Sequence, residues 1–124
     1  FSDKQKIYQL NRLVHPKVGD DFARWVIARR NRNCRYVIKE AALLFESGSY
    51  KELDYLVTVT APPEERIRRV MLRDPHRTVK QIEQIIEQQW PDEQKVCRSD
   101  FVIHNDNRKM LIPQVMAIHQ FLSK

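Results

Sequence analysis

At 124 residues with 42% apolar content, the chain is the size of one ordinary domain and has enough apolar side chains for a core. Two glycines, Gly19 and Gly48, stand where average usage of ~7% gives about nine. They exclude, within this chain, a GxxxxGK[ST] phosphate loop, a GxGxxG fingerprint, a collagen-like repeat and a turn-dense all-β design. The 22 Lys and Arg against 16 Asp and Glu leave a net charge of +6, mostly arginine. That balance favours polyanionic partners without choosing among nucleic acid, phosphorylated metabolites and acidic membrane surfaces.

Ile7, Leu10 and Val14 lie at helical spacing after Asp3, which predicts an amphipathic helix over 3–14. Pro16 then reads as the first position of a second helix, with Val18, Phe22, Trp25 and Val26 on one face to about Arg32. Tyr36-Val37-Ile38 predicts a short buried strand. Residues 41–46 run into a turn at Gly48, and Leu56–Thr60 is the clearest strand of the chain. Pro62-Pro63-Glu64-Glu65 opens a helix with Ile67, Val70 and Met71 inward, ended by Asp74-Pro75. Thr78 and Gln81 form a capping-box signature ahead of the Ile82, Ile85 and Ile86 stripe, which Trp90-Pro91 stops. A short helix over 92–98, a third strand at Phe101-Val102-Ile103, a turn at His104–Asn107 and a final helix striped by Leu111, Val115, Ile118 and Leu122 follow. Strands separated by helices predict an α/β chain with a parallel sheet. Three short strands make a thin sheet, so further strands are expected beyond this chain.

Cys34 and Cys97 have no CxxC spacing and read as reduced structural thiols. The longest apolar run, Ala41–Phe45, is five residues against the ~20 needed to span a bilayer. The expected location is cytoplasmic, with no membrane partner.

Several residues invite a functional reading beside a plain one. Arg69 and Arg73, four apart on one helix face, suit a charge spread over transferring phosphoryl oxygens; otherwise they are a solvated basic face. His15 before Pro16 reads as an N-cap or a satisfied core residue. Leu44, Phe45 and Glu46 follow the carboxyl end of a predicted strand, where open α/β sheets bind ligands, and otherwise are core. Glu40 suits magnesium held through water or a surface charge. Asn105 closes the third strand and by itself reads as a turn residue.

Five patterns in order resemble the dephospho-coenzyme A kinase family. They are L-N-R-L-V-H-P-K-V at 10–18, E-A-A-L-L-F-E at 40–46, Asp54–Val59 with Pro63–Arg73, I-I-E-Q-Q at 85–89, and Lys95 with D-F-V-I-H-N at 100–105. Ala42 departs from the family's usual proline, Glu40 from its common aspartate, and Gln84 from its frequent arginine. The resemblance implies a P-loop NTPase, nucleotide-kinase-like three-layer fold with a parallel sheet, here truncated to about three strands plus helical substrate and lid segments. It implies a single truncated kinase domain, with a helical acceptor region over 1–33 and core strands over 34–62. Lid-like helices would fill 63–98, and the last strand and helix 99–124.

The implied activity is transfer of ATP's γ-phosphoryl to the ribose 3′-hydroxyl of dephospho-coenzyme A. Arg73 and Arg69 would stabilise the transferring phosphate, and Asn105, Gln89 and Lys95 would bind ATP. His15, Leu44, Phe45 and Glu46 would face the acceptor. The resemblance places the phosphate loop, the acidic general base and most of the Mg2+ contacts upstream of Phe1, so residues 1–124 alone are expected to be inactive. Another P-loop nucleotide or metabolite kinase is the nearest alternative. A basic nucleic-acid-binding module is disfavoured because Phe22, Trp25, Phe45 and Phe101 fall on predicted core faces rather than between arginines.

Overall fold

The computed structural model describes residues 4–30 and 32–124. They divide into two compact units, one ending at Lys39 and taking in Ser123, the other running from Glu40 to Leu122 with Lys124. In the first unit, α1 (Lys4–Arg30) is one helix of 27 residues. The two helices expected there are therefore continuous, with Pro16 inside. An interior proline removes one backbone hydrogen bond, a local penalty of ~3 kcal/mol, and the runs on either side keep their own bonds. Arg29 and Arg30 occupy the last turn, where cations suit the helix dipole. Asn33 then leaves in the left-handed region at φ 60°.

Phe22 stacks on Trp25 at 5.9 Å, Arg29 lies over Trp25 at 5.0 Å, and Lys39 lies over Phe22 at 4.9 Å. The predicted strand at Tyr36–Ile38 does not form. A strand needs a neighbour's N–H and C=O groups, and among the described residues this segment has no ladder, leaving Ile38 74% exposed.

The second unit carries a 3-10 helix (Ser49–Glu52), β1 (Val57–Thr60), α2 (Pro63–Arg73), α3 (Val79–Glu87), α4 (Asp92–Cys97), β2 (Phe101–His104) and α5 (Leu111–Leu122). The strands are parallel, with Val57 opposite Phe101 and Thr60 opposite His104. A parallel pair needs a long crossover, and α2 to α4 supply it. The α/β expectation with a parallel sheet holds, with two strands among the described residues. Gly48 enters the 3-10 helix at φ 75°, a conformation that disfavours any side chain.

Each helix begins as its residues dictate. Pro63 and Pro91 stand at first-turn and cap positions, followed by Glu64-Glu65 and Asp92-Glu93 at the positive ends of α2 and α4. Thr78 accepts from Gln81 N while the Gln81 side chain accepts from Thr78 N, completing the capping box.

Polar pairings lock the sheet. Asp100 Oδ2 accepts from Leu56 N at 2.7 Å, and Leu56 O accepts from Asp100 N and Phe101 N, setting the register before the first strand pair. Thr58 is buried and bonded to Ser99 Oγ at 2.6 Å, and Ser99 donates to Lys95 O. At the far end, the Gln114 amide accepts from His104 N and donates to His104 O, serving the free side of β2 as a strand would. Phe101, Tyr55 and Phe121 meet edge-on or tilted at 5.1 to 6.2 Å and tie α5 to the sheet.

Candidate functional site

Past Thr60 and His104, at the carboxyl ends of both strands, the chain turns into the start of α2 on one side and residues 105–108 on the other. Asn105 N donates to Thr60 O at 2.8 Å and extends the sheet by one bond. Asp106 Oδ1 then accepts from Arg108 N and Lys109 N, which holds its carboxyl below the usual carboxylate range. Asn107 takes φ 61°, the left-handed region that Asn tolerates best after Gly.

Four side chains or carbonyls join this turn to α2. Arg69 donates from Nε to Glu65 Oε1 at 2.8 Å, and from its terminal nitrogen to Asn105 O at 3.2 Å and Asn107 Oδ1 at 3.0 Å. Asn107 Nδ2 donates back to Glu65 Oε1 at 3.0 Å. Arg68 caps the same carboxylate in a fork, at 2.9 and 2.6 Å. Beside the cluster lies an open concavity of about 320 Å³, lined by Pro62, Glu64, Glu65, Asp106, Asn107 and Arg108. That is at the lower end of ligand-site volumes.

Glu65 is held at a pKa of about 2, against an ordinary 4.5, by the hydrogen bonds from Arg68 first and then from Asn107 and Arg69. A depressed carboxylate contributes stability that is complete above its unfolded value and is lost as pH falls through the folded one. The clamp is therefore intact at pH 5 and weakens between about 4.5 and 2. An NMR titration of the Glu65 side chain is expected to show a midpoint near 2. A midpoint at the ordinary 4.5 would mean that these bonds do not persist in solution.

A second cluster surrounds the exit of α3. Trp90 N donates to Glu46 Oε1 at 2.5 Å; the Trp90 ring stacks on Phe45 at 5.6 Å and has the Arg98 guanidinium over it at 5.1 Å. Phe45 is 8% exposed and also meets Tyr50 at 5.2 Å. Glu46 Oε2 is buried without a hydrogen-bond partner among the described residues. Next to Trp90, Lys95 Nζ donates to Gln89 Oε1 at 3.2 Å.

The structure thus brings Arg69 to Asn105, Gln89 to Lys95, and Phe45 and Glu46 to the Trp90 turn, with Leu44 half-buried beside them. Arg73 stands apart in the last turn of α2, exposed, with no hydrogen bond or ion pair among the described residues. His15 falls within α1, but its side chain lies outside the described residues. Magnesium finds no cage here: among the described residues no three His, Cys, Asp or Glu side chains converge. Glu40 is exposed. Glu65 and Asn107 were not singled out from sequence. The i, i+4 spacing of Glu65 and Arg69 was the available signal, and its partner Asn107 lies 42 residues away from Glu65.

The dephospho-CoA kinase family profile matches residues 1–110. The chain belongs to the dephospho-CoA kinase family. A dephospho-CoA kinase of Bacteroides fragilis is 39% identical over 123 residues, covering 98% of this chain and 58% of that protein. One from Chlorobium luteolum is 39% identical over 106 residues, covering 86% of this chain and 48% of its own length. The chain therefore spans about half the length of the curated relatives it matches. Among solved structures, the crystal structure of TT1252 from Thermus thermophilus superposes with a TM-score of 0.77 at 28% identity, over 98% of this chain and 61% of that one. The five motifs that carry the resemblance end at residue 105, inside the matched span of the family. No helix among the described residues is long and apolar enough to cross a membrane.

Proposed function

We propose that this chain forms the lid and part of the nucleotide and acceptor sites of an enzyme that phosphorylates the ribose 3′-hydroxyl of dephospho-CoA with ATP. The family match over residues 1–110 carries this reading, and the arrangement of charged groups supports it.

Arg73 is the arginine left available for a transferring phosphate. Arg69 is committed to Glu65, Asn105 and Asn107, so it acts on the nucleotide side, through the turn it holds. An arginine aimed at developing charge in a site that excludes water stabilises the transition state more than the ground state. α2 to α4 form the lid-like segment, and Gln89 and Lys95 brace its return beside the Trp90 turn. Asn105, with its backbone set by Thr60 and Arg69, borders the ATP base. Leu44 and Glu46 form an acceptor side, with Phe45 packed beneath, and His15 is assigned to acceptor binding by the family resemblance alone. Magnesium, when bound with ATP, would neutralise phosphate charge. The residues described here hold no cluster for it.

The test is formation of coenzyme A, followed by mass spectrometry, from ATP and dephospho-CoA by a chain extended to the length of its relatives. ATP-dependent product is expected. Absence of coenzyme A, with transfer to another nucleotide or metabolite, would replace the acceptor assignment. Residues 1–124 by themselves are expected to give no product, because they contain no GxxxxGK[ST] phosphate cradle.

A further inference from the structure

We propose that Glu65 is a positioning residue for the nucleotide: with Arg69 and Asn107 it closes a hydrogen-bonded ring that fixes the 105–108 turn against the first turn of α2. The inference rests on the kinase reading, which takes the concavity beside the ring to receive part of ATP.

The ring has three members and each supports the other two. Glu65 Oε1 accepts from both Arg69 Nε and Asn107 Nδ2, and Arg69 returns a bond to Asn107 Oδ1. Both polar atoms of the Asn107 amide are thereby used, which holds its side chain in one orientation over a backbone already at φ 61°. Glu65 is the hub, since removing its carboxylate leaves Arg69 Nε and the Asn107 amide without their shared acceptor.

The ring also sets the width of the concavity. Pro62, Glu64 and Glu65 form one wall, at the start of α2, and Asp106, Asn107 and Arg108 form the other. The Glu65–Asn107 bond, at 3.0 Å, is the direct tie between the walls. Their charges decide which end of ATP belongs there. With Glu65 paired, the lining leaves the carboxylates of Glu64 and Asp106 beside the one cation Arg108, so a polyphosphate is disfavoured and a neutral base with amino and ring nitrogens suits it. Glu65 itself is neutralised by Arg68 and Arg69, so its part is to hold the wall.

The experiment compares Glu65→Ala, Asn107→Gly, the double variant and Glu65→Gln in a chain extended to the length of its relatives. Glycine at 107 keeps the left-handed backbone while deleting the amide. Calorimetric binding of a non-hydrolysable ATP analogue is read beside KM for each substrate, kcat and the thermal midpoint. Each single variant is expected to weaken ATP binding by about tenfold, with a smaller fall in kcat and an acceptor KM within about twofold of wild type. The double variant is expected to be no weaker than either single, because all three variants break one ring. Glu65→Gln keeps an acceptor oxygen and is expected to recover part of the loss.

Two results would overturn the inference: multiplying effects in the double variant, or a lower thermal midpoint with ATP affinity unchanged. If the ring variants weaken ATP binding in a protein that makes no coenzyme A, the acceptor assignment falls and the role of Glu65 stands. If coenzyme A forms and Glu65→Ala binds ATP as wild type does, the role of Glu65 falls alone.

Discussion

On the proposed kinase reading, Arg73→Ala in a chain extended to the length of its relatives is expected to lower kcat by about tenfold or more, a barrier increase of ~1.4 kcal/mol or above. Its thermal midpoint should barely move. Among the described residues Arg73 has no ion pair or hydrogen bond to lose, and exposed substitutions of that kind usually stay within ~0.5 kcal/mol. The ordinary alternative is that Arg73 only serves the helix dipole in the last turn of α2, a contribution of ~0.3–1 kcal/mol to stability and none to turnover. The two readings separate on single-turnover rate against thermal melting. Arg73→Lys sharpens the comparison. Lysine keeps the charge but lacks the planar fork, so an intermediate rate indicates direct contact with phosphate. A wild-type rate for Arg73→Ala would remove it from the machinery.

Phe45→Ala is expected to destabilise the protein by about 3–5 kcal/mol, the range for emptying a buried phenylalanine site. Phe45 is one of two buried apolar side chains among the described residues, with Ile82, so little else compensates for it. The loss also removes ring contacts to Tyr50 and Trp90, each of a kind that adds ~0.5–1.5 kcal/mol beyond area burial. Denaturant unfolding measures this directly. Were Phe45 chiefly a ligand contact, stability would hold and the KM for dephospho-CoA would rise instead. The geometry favours a supporting role: Phe45 packs under the turn whose Trp90 N–H is held by Glu46. The Phe45-Glu46 pair thus anchors the exit of α3, and on the proposed reading it would also shape the acceptor side.

Local features of the fold were readable in the residues because their causes are local. Thr78 and Gln81 are three apart and satisfy each other's backbone groups whatever the rest of the chain does. Pro63 with Glu64 and Glu65 starts α2 for the same reason, and the apolar periods of α2, α3 and α5 follow from 3.6 residues per turn. Valine and threonine alternate in β1, and the β-branched run of β2 pairs with it. The errors are also physical. Pro16 reads locally as a helix start, yet losing one bond did not stop α1. Tyr36–Ile38 has strand composition, but a strand exists only where another supplies its partners.

The site divides along the same line. Sequence order and residue type by themselves determined the family, the α/β class with its parallel crossover, and the two arginines on one turn of α2. They also marked out 44–46, Gln89, Lys95 and Asn105 as segments of interest. Tertiary structure decided what each could do. It engaged Arg69 with Asn105 and Asn107 and left Arg73 available, although the two are chemically alike and four residues apart. It turned Glu65 from a helix-dipole carboxylate into the hub of a ring reaching 42 residues along the chain. It gave Glu46 a backbone partner 44 residues away at Trp90, and gave Asp100 one at the same separation in Leu56. Hydrogen bonds of 2.5 to 3.2 Å need both partners delivered to one point, and no pattern within one helix or strand carries that information. Residue spacing sets which side chains share a face, and only the crossover that closes the sheet sets which faces meet.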